Sequence, residues 1–417
     1  MRRKTKIVAT LGPAIDSLAD VRAMIGAGLN VARFNFSHGT NEEHLQRHEW
    51  VREASTATGI PVATMQDIQG PKIRVGVFPG GAVVLQPGSE VTIAPGEGEG
   101  HASLVCVAYL EYVDLQPGSL VLLSDGLISL EVLSSTGTEA RARVIGGGIL
   151  RDHKGAAFPG SDTRVPVITE KDVADLAFGR EVGFDLVAAS FISCGADIRE
   201  IRKHIGYTPI IAKIESTVGY RNLDDILTEA DGAMVARGDL GVELNLESVP
   251  RAQTEILAKT NAAGKITITA TEMLESMITN PRPTRAEVTD VYRSVLDGTD
   301  AVMLSAESAI GAYPVEAVRT MGVISREAES SPEFVTAPYT SILQDRSPYA
   351  SVVAQAAVDT ANRLGIDTIV AFTESGTTAR LLSKHRPRAD VYAFTPHEST
   401  YRLMTLFGCI TPLKSPP

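Results

Sequence analysis

PIIAKIES, Pro209 to Ser216, runs four apolar residues straight into a lysine and sets a glutamate two positions later. In a buried strand side chains alternate faces, so Lys213 and Glu215 point the same way, just past the last hydrophobic residues. A carboxylate beside an ammonium at a strand's end suits a metal–phosphate complex. The carboxylate holds a hard cation, and the ammonium neutralises phosphoryl oxygens. The plain alternative is a solvated ion pair at a strand terminus. The rest of the chain weighs against it.

Outward from this strand, the same beat recurs. On the N-terminal side come KTKIVATL (Lys4–Leu11), LNVARFNF (Leu29–Phe36) and PVATMQD (Pro61–Asp67), separated by helical stretches at Leu18–Gly28 and Asn41–Thr58. On the other side come FDLVAASFI (Phe184–Ile192), GAMVA (Gly232–Ala236), KITITAT (Lys265–Thr271) and AVMLS (Ala301–Ser305), again separated by helical patterns. With Pro209–Ile214 these make eight buried strands alternating with helices, a pattern that predicts a (β/α)8 TIM barrel with its active site at the strands' C-terminal ends. Between Val75 and Pro159 the texture changes to short alternating runs rich in Gly and Val, such as AVVLQPGSEVTIAP and SLVLLSDGLISLEVL. That segment predicts a small inserted β-barrel domain, with Pro71, Pro159-Gly160 and the Gly146–Gly148 run as hinge or turn positions. After an irregular linker at Ser330–Arg346, the helix–strand alternation of the last seventy or so residues predicts a small open α/β domain. The expected boundaries are 1–70 with 163–330 for the barrel, 71–162 for the insertion and 345–417 for the C-terminal domain.

Composition narrows the function. The chain has 417 residues, 44% hydrophobic and 21% charged, with a net charge of −11. That acidity, without a basic block, argues against nucleic acid as a partner, although a few local cations can still dominate one cleft. Three cysteines far apart in sequence form neither a metal spacing nor a disulfide framework, which fits a reducing cytoplasm. The N-terminus carries no apolar core before a cleavage site, and no apolar run is long enough to span a membrane.

The barrel rule gathers at one mouth Arg33, Asn35 and Ser37, Asp67, Lys213 and Glu215, Arg237 and Asp239, Thr271, and Ser305 and Glu307. Each alone reads as a cap, a rim ion pair or a turn residue. Together they form a site of oxygen ligands and cations. No nucleophilic triad, Cys-His pair or zinc spacing is present, and of the eight histidines only His38 falls at a strand end. Magnesium-assisted phosphoryl transfer fits this set, without a Walker loop or kinase-type Gly-rich loop.

TKIVATLGPA, NVARFNFSHG, GPKIR, IIAKIES, VARGDLGVEL, PRPTRAEVTDV and LSAESAIGAYP, in this order around an inserted β segment, resemble the pyruvate kinase family over nearly the whole chain. The resemblance implies transfer of a phosphoryl group from phosphoenolpyruvate to ADP, the last step of glycolysis. It implies a cytoplasmic homo-oligomer, a tetramer in the family. Glu215 and Asp239 would hold Mg2+ or Mn2+, and Lys213, aided by Arg33, would stabilise the transferring group. Gly238 and Asp239 would contact the substrate, and Thr271 would lie beside the enolate carbon. Ser305 and Glu307 would belong to its proton path. Asn35, Ser37, His38, Arg74 and Lys154 match nucleotide-side positions, and the insertion would be a lid. Alternatives from other classes are an enolate-handling mutase or lyase barrel and a degenerate kinase kept for binding. Arg74 and Lys154 argue against the first, and the intact Arg33, Lys213, Glu215, Asp239 and Thr271 argue against the second.

Departures from the family pattern carry their own expectations. The resemblance implies that the monovalent-cation positions of many family members match Asn35, Ser37, Asp67 and the carbonyl of Ile68. The run Asp67-Ile68-Gln69-Gly70-Pro71-Lys72 resembles the potassium-independent branch, in which an ammonium at Lys72, close to Asp67, replaces potassium. Glu272 and Ala306 also differ from the usual residues. TESGTT, Thr373–Thr378, resembles a sugar-phosphate effector loop, but the C-terminal domain reads short for the family, so little effector response is expected.

Overall fold

The computed structural model describes residues 2–161, 163, 165–335 and 348–416. The expected linker therefore lies, from 336 to 346, outside the described residues, as do Asp162 at one expected domain boundary and residue 345 at another.

Eight parallel strands close into a barrel. They are β1 (Lys6–Thr10), β2 (Val31–Asn35), β3 (Ala63–Asp67) and, after the insertion, β12 (Leu186–Ala189), β13 (Ile210–Ile214), β14 (Gly232–Ala236), β15 (Ile266–Ala270) and β16 (Ala301–Leu304). Their order round the barrel follows the chain, β16 pairing back onto β1. These strands are buried on both faces because helices cover the outside and side chains fill the inside, which is why they read as continuous apolar runs rather than alternating ones. Covering helices start where the sequence supplies caps. Thr40 with Glu43, Thr169 with Asp172 and Thr284 with Glu287 each form a capping box that satisfies the first free amides.

One parity matters for function. Val8, Val31, Ala63, Met65, Leu186, Ala188, Ile211, Met234, Ile268, Ala270, Ala301 and Met303 belong to one buried cluster inside the barrel. Two residues further along the same strands the same faces present Thr10, Arg33, Asp67, Ser190, Lys213 and Ser305. The apolar interior thus gives way to a polar mouth by strand alternation alone.

The insertion is all-β, as expected. Strands β4 (Ala82–Leu85), β5 (Glu90–Pro95), β6 (Leu104–Val107), β7 (Leu120–Leu123), β8 (Ile128–Ser135), β9 (Ala140–Gly146), β10 (Gly148–Arg151) and β11 (Ala156–Ala157) enclose one core around Ile93, Val121, Leu130 and Leu150. Their ladders form a six-stranded sheet, β11-β7-β8-β9-β5-β6, and a β10-β4 ribbon, without a continuous ring of hydrogen bonds. The break falls at Gly147, where the chain leaves β9 for β10. A Cβ there would meet the Leu85 carbonyl oxygen at 2.4 Å, so glycine serves close backbone approach at this point.

The C-terminal unit is a three-stranded parallel sheet, β17 (Thr368–Phe372), β18 (Asp390–Thr395) and β19 (Ile410–Lys414), with its helices. It packs under the barrel's N-terminal end. There the Lys4 ammonium donates to the carbonyls of Pro387 and Ala389 at 2.7 and 3.0 Å, and Lys384 pairs with Asp300. Among the described residues, no helix is long and apolar enough to cross a membrane.

Candidate active site

The mouth is organised round Asp67, at the end of β3. Its Oδ2 accepts from Arg33 Nε at 2.6 Å, and its Oδ1 lies 3.2 Å from Lys213 Nζ. Arg33 extends the chain by donating from Nη1 to Thr10 Oγ1 at 2.7 Å. Lys213 donates to Ser190 Oγ at 2.7 Å and pairs with Glu215 Oε1 at 3.0 Å, so the two residues of one parity do face each other. Glu215 Oε2 in turn accepts the Phe191 amide at 2.7 Å. Thr10 and Ser190, not among the expected site residues, share the strand parity of Arg33 and Lys213, and that parity is the signal that points to them.

Burial sets the electrostatics. It works against the charged form of Asp67, but the Arg33 guanidinium and Lys213 ammonium overcome it and hold the carboxyl below its usual range. Burial likewise opposes a charged Lys213, and Asp67 and Glu215 more than restore it, so the lysine is held as a cation. Glu215 is pushed up by burial, the Lys213 cation partly opposing this and the neighbouring Asp239 charge adding to it. Two neighbouring carboxylates that repel each other, one buried and one partly exposed, are what a divalent cation would relieve.

Asp239, expected at a strand end, lies beyond it on a helix. RGDLGVE is a short helix, Arg237–Glu243, placed directly after β14. The Gly238 amide at its start donates to Thr271 Oγ1 at 2.8 Å. Thr271 and Glu272 sit at φ 65° and 54°, in the left-handed region that a β-branched residue rarely enters. The turn is held there from two sides. Arg237 donates to the Thr271 carbonyl through Nη2 at 2.6 Å and is itself fixed by Asp290 at 2.6 Å. The fully buried Glu307 accepts the amides of Leu274 and Ser305 at 3.0 and 2.7 Å. Ser305 ends up at the mouth, while the Glu307 carboxylate is taken up by backbone. Glu272 is exposed.

Lys72 departs from expectation. Its ammonium pairs with Asp239 Oδ1 at 2.8 Å rather than with Asp67. The physical reason is competition: both Asp67 oxygens already face cations, whereas Asp239 has no other salt-bridge partner among the described residues. Arg74 and Lys154 lie on neighbouring segments where the insertion joins the barrel, the Val75 amide donating to the Lys154 carbonyl at 2.9 Å. The Arg74 guanidinium caps the His153 carbonyl at 2.9 Å. Asn35 and Ser37 lie together at the end of β2, the Ser37 amide donating to Asn35 Oδ1 at 3.2 Å, and His38 beyond them is exposed. Ile68 is buried, and its carbonyl accepts from Ser190 Oγ at 2.7 Å.

A cavity of about 370 Å³ opens between barrel and insertion. Lys72, Phe191, Glu215 and Asp239 line its barrel side, and Asp125 and Phe158 its far side. The donor set fits a hard divalent cation. It offers the carboxylate oxygens of Glu215 and Asp239, and an ammonium already stands on each as a cation of the protein's own, Lys213 on the first and Lys72 on the second.

Comparison with known proteins agrees with this architecture. Residues 2–318 match the family model "Pyruvate kinase, barrel domain", and residues 351–417 match "Pyruvate kinase, alpha/beta domain". A pyruvate kinase of Geobacillus stearothermophilus is 44% identical over 414 residues, covering 97% of this chain and 70% of that protein. One from Clostridium perfringens is 42% identical over 421 residues, covering 98% and 88%. One from Staphylococcus aureus strain MRSA252 is 41% identical over 423 residues, covering 99% and 72%.

Proposed function

The chain belongs to the pyruvate kinase family, and from that premise we propose how its residues divide the work of moving a phosphoryl group from phosphoenolpyruvate to ADP. The reaction breaks the bond between phosphorus and the enol oxygen and forms one to a β-phosphate oxygen of ADP. The enolate left behind takes a proton on its methylene carbon to give pyruvate.

Lys213 and Arg33 supply fixed positive charge where the phosphoryl oxygens gain negative charge. The observation that carries this reading is the hydrogen-bonded chain Thr10–Arg33–Asp67–Lys213–Glu215, which holds both cations in place before substrate arrives. Such charge needs no reorganisation at the moment of reaction and acts at short range in a water-poor pocket. Asp67 and Ser190 orient rather than react. Glu215 and Asp239 would hold Mg2+ or Mn2+, which when bound draws charge from the phosphoryl oxygens.

Gly238 and Asp239, on the short helix after β14, would meet the substrate from the side opposite Lys213. Thr271, its hydroxyl accepting from the Gly238 amide and donating to the Ala270 carbonyl, would lie beside the enolate carbon and hold the proton-delivering water. Ser305 contributes to the same face, and Glu307 acts through it by holding the two turns in register. Asn35, Ser37 and His38 at β2, with Arg74 and Lys154 at the junction, would receive the nucleotide. The segment 71–162 would act as a lid that closes over the cavity and excludes water. By the same family resemblance the chain would work as a cytoplasmic homo-oligomer, with its barrel at 1–70 and 163–330 and its C-terminal domain at 345–417.

Potassium would not be required. What supports this is that the Asp67 carboxylate, its expected ligand, already faces Arg33 and Lys213. A coupled assay of pyruvate formation from phosphoenolpyruvate and ADP with Mg2+ tests the function directly. Absence of turnover in folded protein would overturn it.

A further inference from the structure

We propose that Lys72 is a built-in competitor for the divalent metal. In the metal-free protein its ammonium occupies the Asp239 carboxylate and ties the entry to the inserted unit onto the barrel mouth, and metal binding must displace it. The inference rests on the reading of Glu215 and Asp239 as the metal's carboxylates.

Four observations carry it. The Lys72 Nζ lies 2.8 Å from Asp239 Oδ1, the geometry of a charge-assisted hydrogen bond. The ammonium stands 6.0 Å from the centre of the Phe191 ring, so one flank is covered by an aromatic face rather than by water. On the other flank the inserted unit leaves room for it. A Cβ on Gly155 would lie 3.7 Å from Lys72 Cε and 3.6 Å from Asp125 Oδ1, ordinary van der Waals distances, so the Gly155 backbone runs alongside the lysine's stem. Finally, Lys72 follows Pro71 directly, at the point where the chain leaves the barrel for the insertion, and it lines the same cavity as Glu215 and Asp239. A cation cannot stay on Asp239 when a divalent ion arrives, because the two would repel at close range. Release of Lys72 then frees the junction segment from the barrel mouth, which couples metal binding to the mobility of the hinge.

The test is direct Mn2+ binding to the metal-free full chain, read as free Mn2+ by electron paramagnetic resonance, with no phosphoenolpyruvate or nucleotide present. Removing the competitor in Lys72→Met and Lys72→Gln should tighten Mn2+ binding by about three- to tenfold, since a half-exposed ion pair and a like charge are both removed. Lys72→Arg, which keeps a cation, should stay close to the unmodified chain, and Asp239→Asn should lose most of the binding. Unchanged or weaker binding in both Lys72→Met and Lys72→Gln, while Asp239→Asn still loses it, would overturn the proposal. Full Mn2+ affinity in both Asp239→Asn and Glu215→Gln would instead remove the metal-carboxylate reading, and the competitor with it.

Discussion

In the proposed division of work Lys213 is the residue on which the chemistry would turn, and its environment is what supports that role. It is part-buried, it faces two carboxylates and a hydroxyl, and the two carboxylates outweigh burial and keep it charged. An ammonium so placed is worth more to the charge that develops in the transition state than to the ground state. Lys213→Met is expected to lower kcat by about two orders of magnitude or more while moving KM far less. Steady-state kinetics on the folded variant decide it, and a KM effect with kcat intact would make Lys213 a binding group only. The potassium question also belongs to single residues. A monovalent cation at Asp67 would meet Arg33 and Lys213, each already within hydrogen-bonding distance of the carboxylate. At an effective dielectric of about 20, like charges 4 Å apart repel by about 4 kcal/mol. Adding KCl to the enzyme in tetramethylammonium buffer should therefore leave its rate nearly unchanged. A rise of about tenfold would return Asn35, Ser37, Asp67 and Ile68 as potassium ligands.

At the scale of elements, the eight strands carry their polar residues to one end because strand alternation has a period of two and the barrel aligns all strands in parallel. The short helix Arg237–Glu243 and the left-handed turn at Thr271–Glu272 were not legible in this way. Seven residues are too few to show a helical period, and a positive φ at threonine contradicts its local preference. Such strain persists only where surroundings over-determine it, here through Arg237, Gly238 and Glu307. In the insertion, Gly147 is the element-scale constraint. Gly147→Ala puts a Cβ against backbone at 2.4 Å, which cannot rotate away. It should destabilise the inserted unit by about 1–3 kcal/mol while leaving the barrel intact. Amide hydrogen exchange read separately for residues 82–157 and for the barrel strands checks this, and unchanged protection in the insertion would refute it.

For the whole molecule, the covering layer of the barrel holds a titration liability. His48 is buried among Phe34 and Phe184, with Arg52, Asp185 and Arg402 as its charged neighbours. Burial, with Arg52 adding to it, lowers its pKa to about 4, and His44 one turn away shifts the same way. A histidine held neutral in the fold contributes stability that is fully present above its unfolded value near 6.5. That stability is lost as the pH falls from about 6.5 towards 4, by up to about 3 kcal/mol. His48→Phe keeps the aromatic packing and removes the titration. Its stability should therefore fall less than that of the unmodified chain between pH 6.5 and 4.5, measured by urea unfolding. Parallel curves for the two proteins would rule His48 out.

What the sequence determined by itself is what depends on neighbours along the chain. Apolar runs and their spacing gave eight strands, capping residues started the helices, and parity put Arg33, Asp67, Lys213 and Glu215 at one mouth. The motifs carried the family. The tertiary structure alone decided which charges meet. Asp67 takes two cations because β3 stands between β2, which carries Arg33, and β12, beyond which β13 carries Lys213, and that leaves Lys72 to Asp239. The Glu307 carboxylate, which the sequence offered as part of a proton path, is consumed by the amides of Leu274 and Ser305. The reason is the same in each case. A strand's alternation is set by bonds within a few residues, whereas an ion pair is the outcome of competition among groups that only the closed barrel brings within reach.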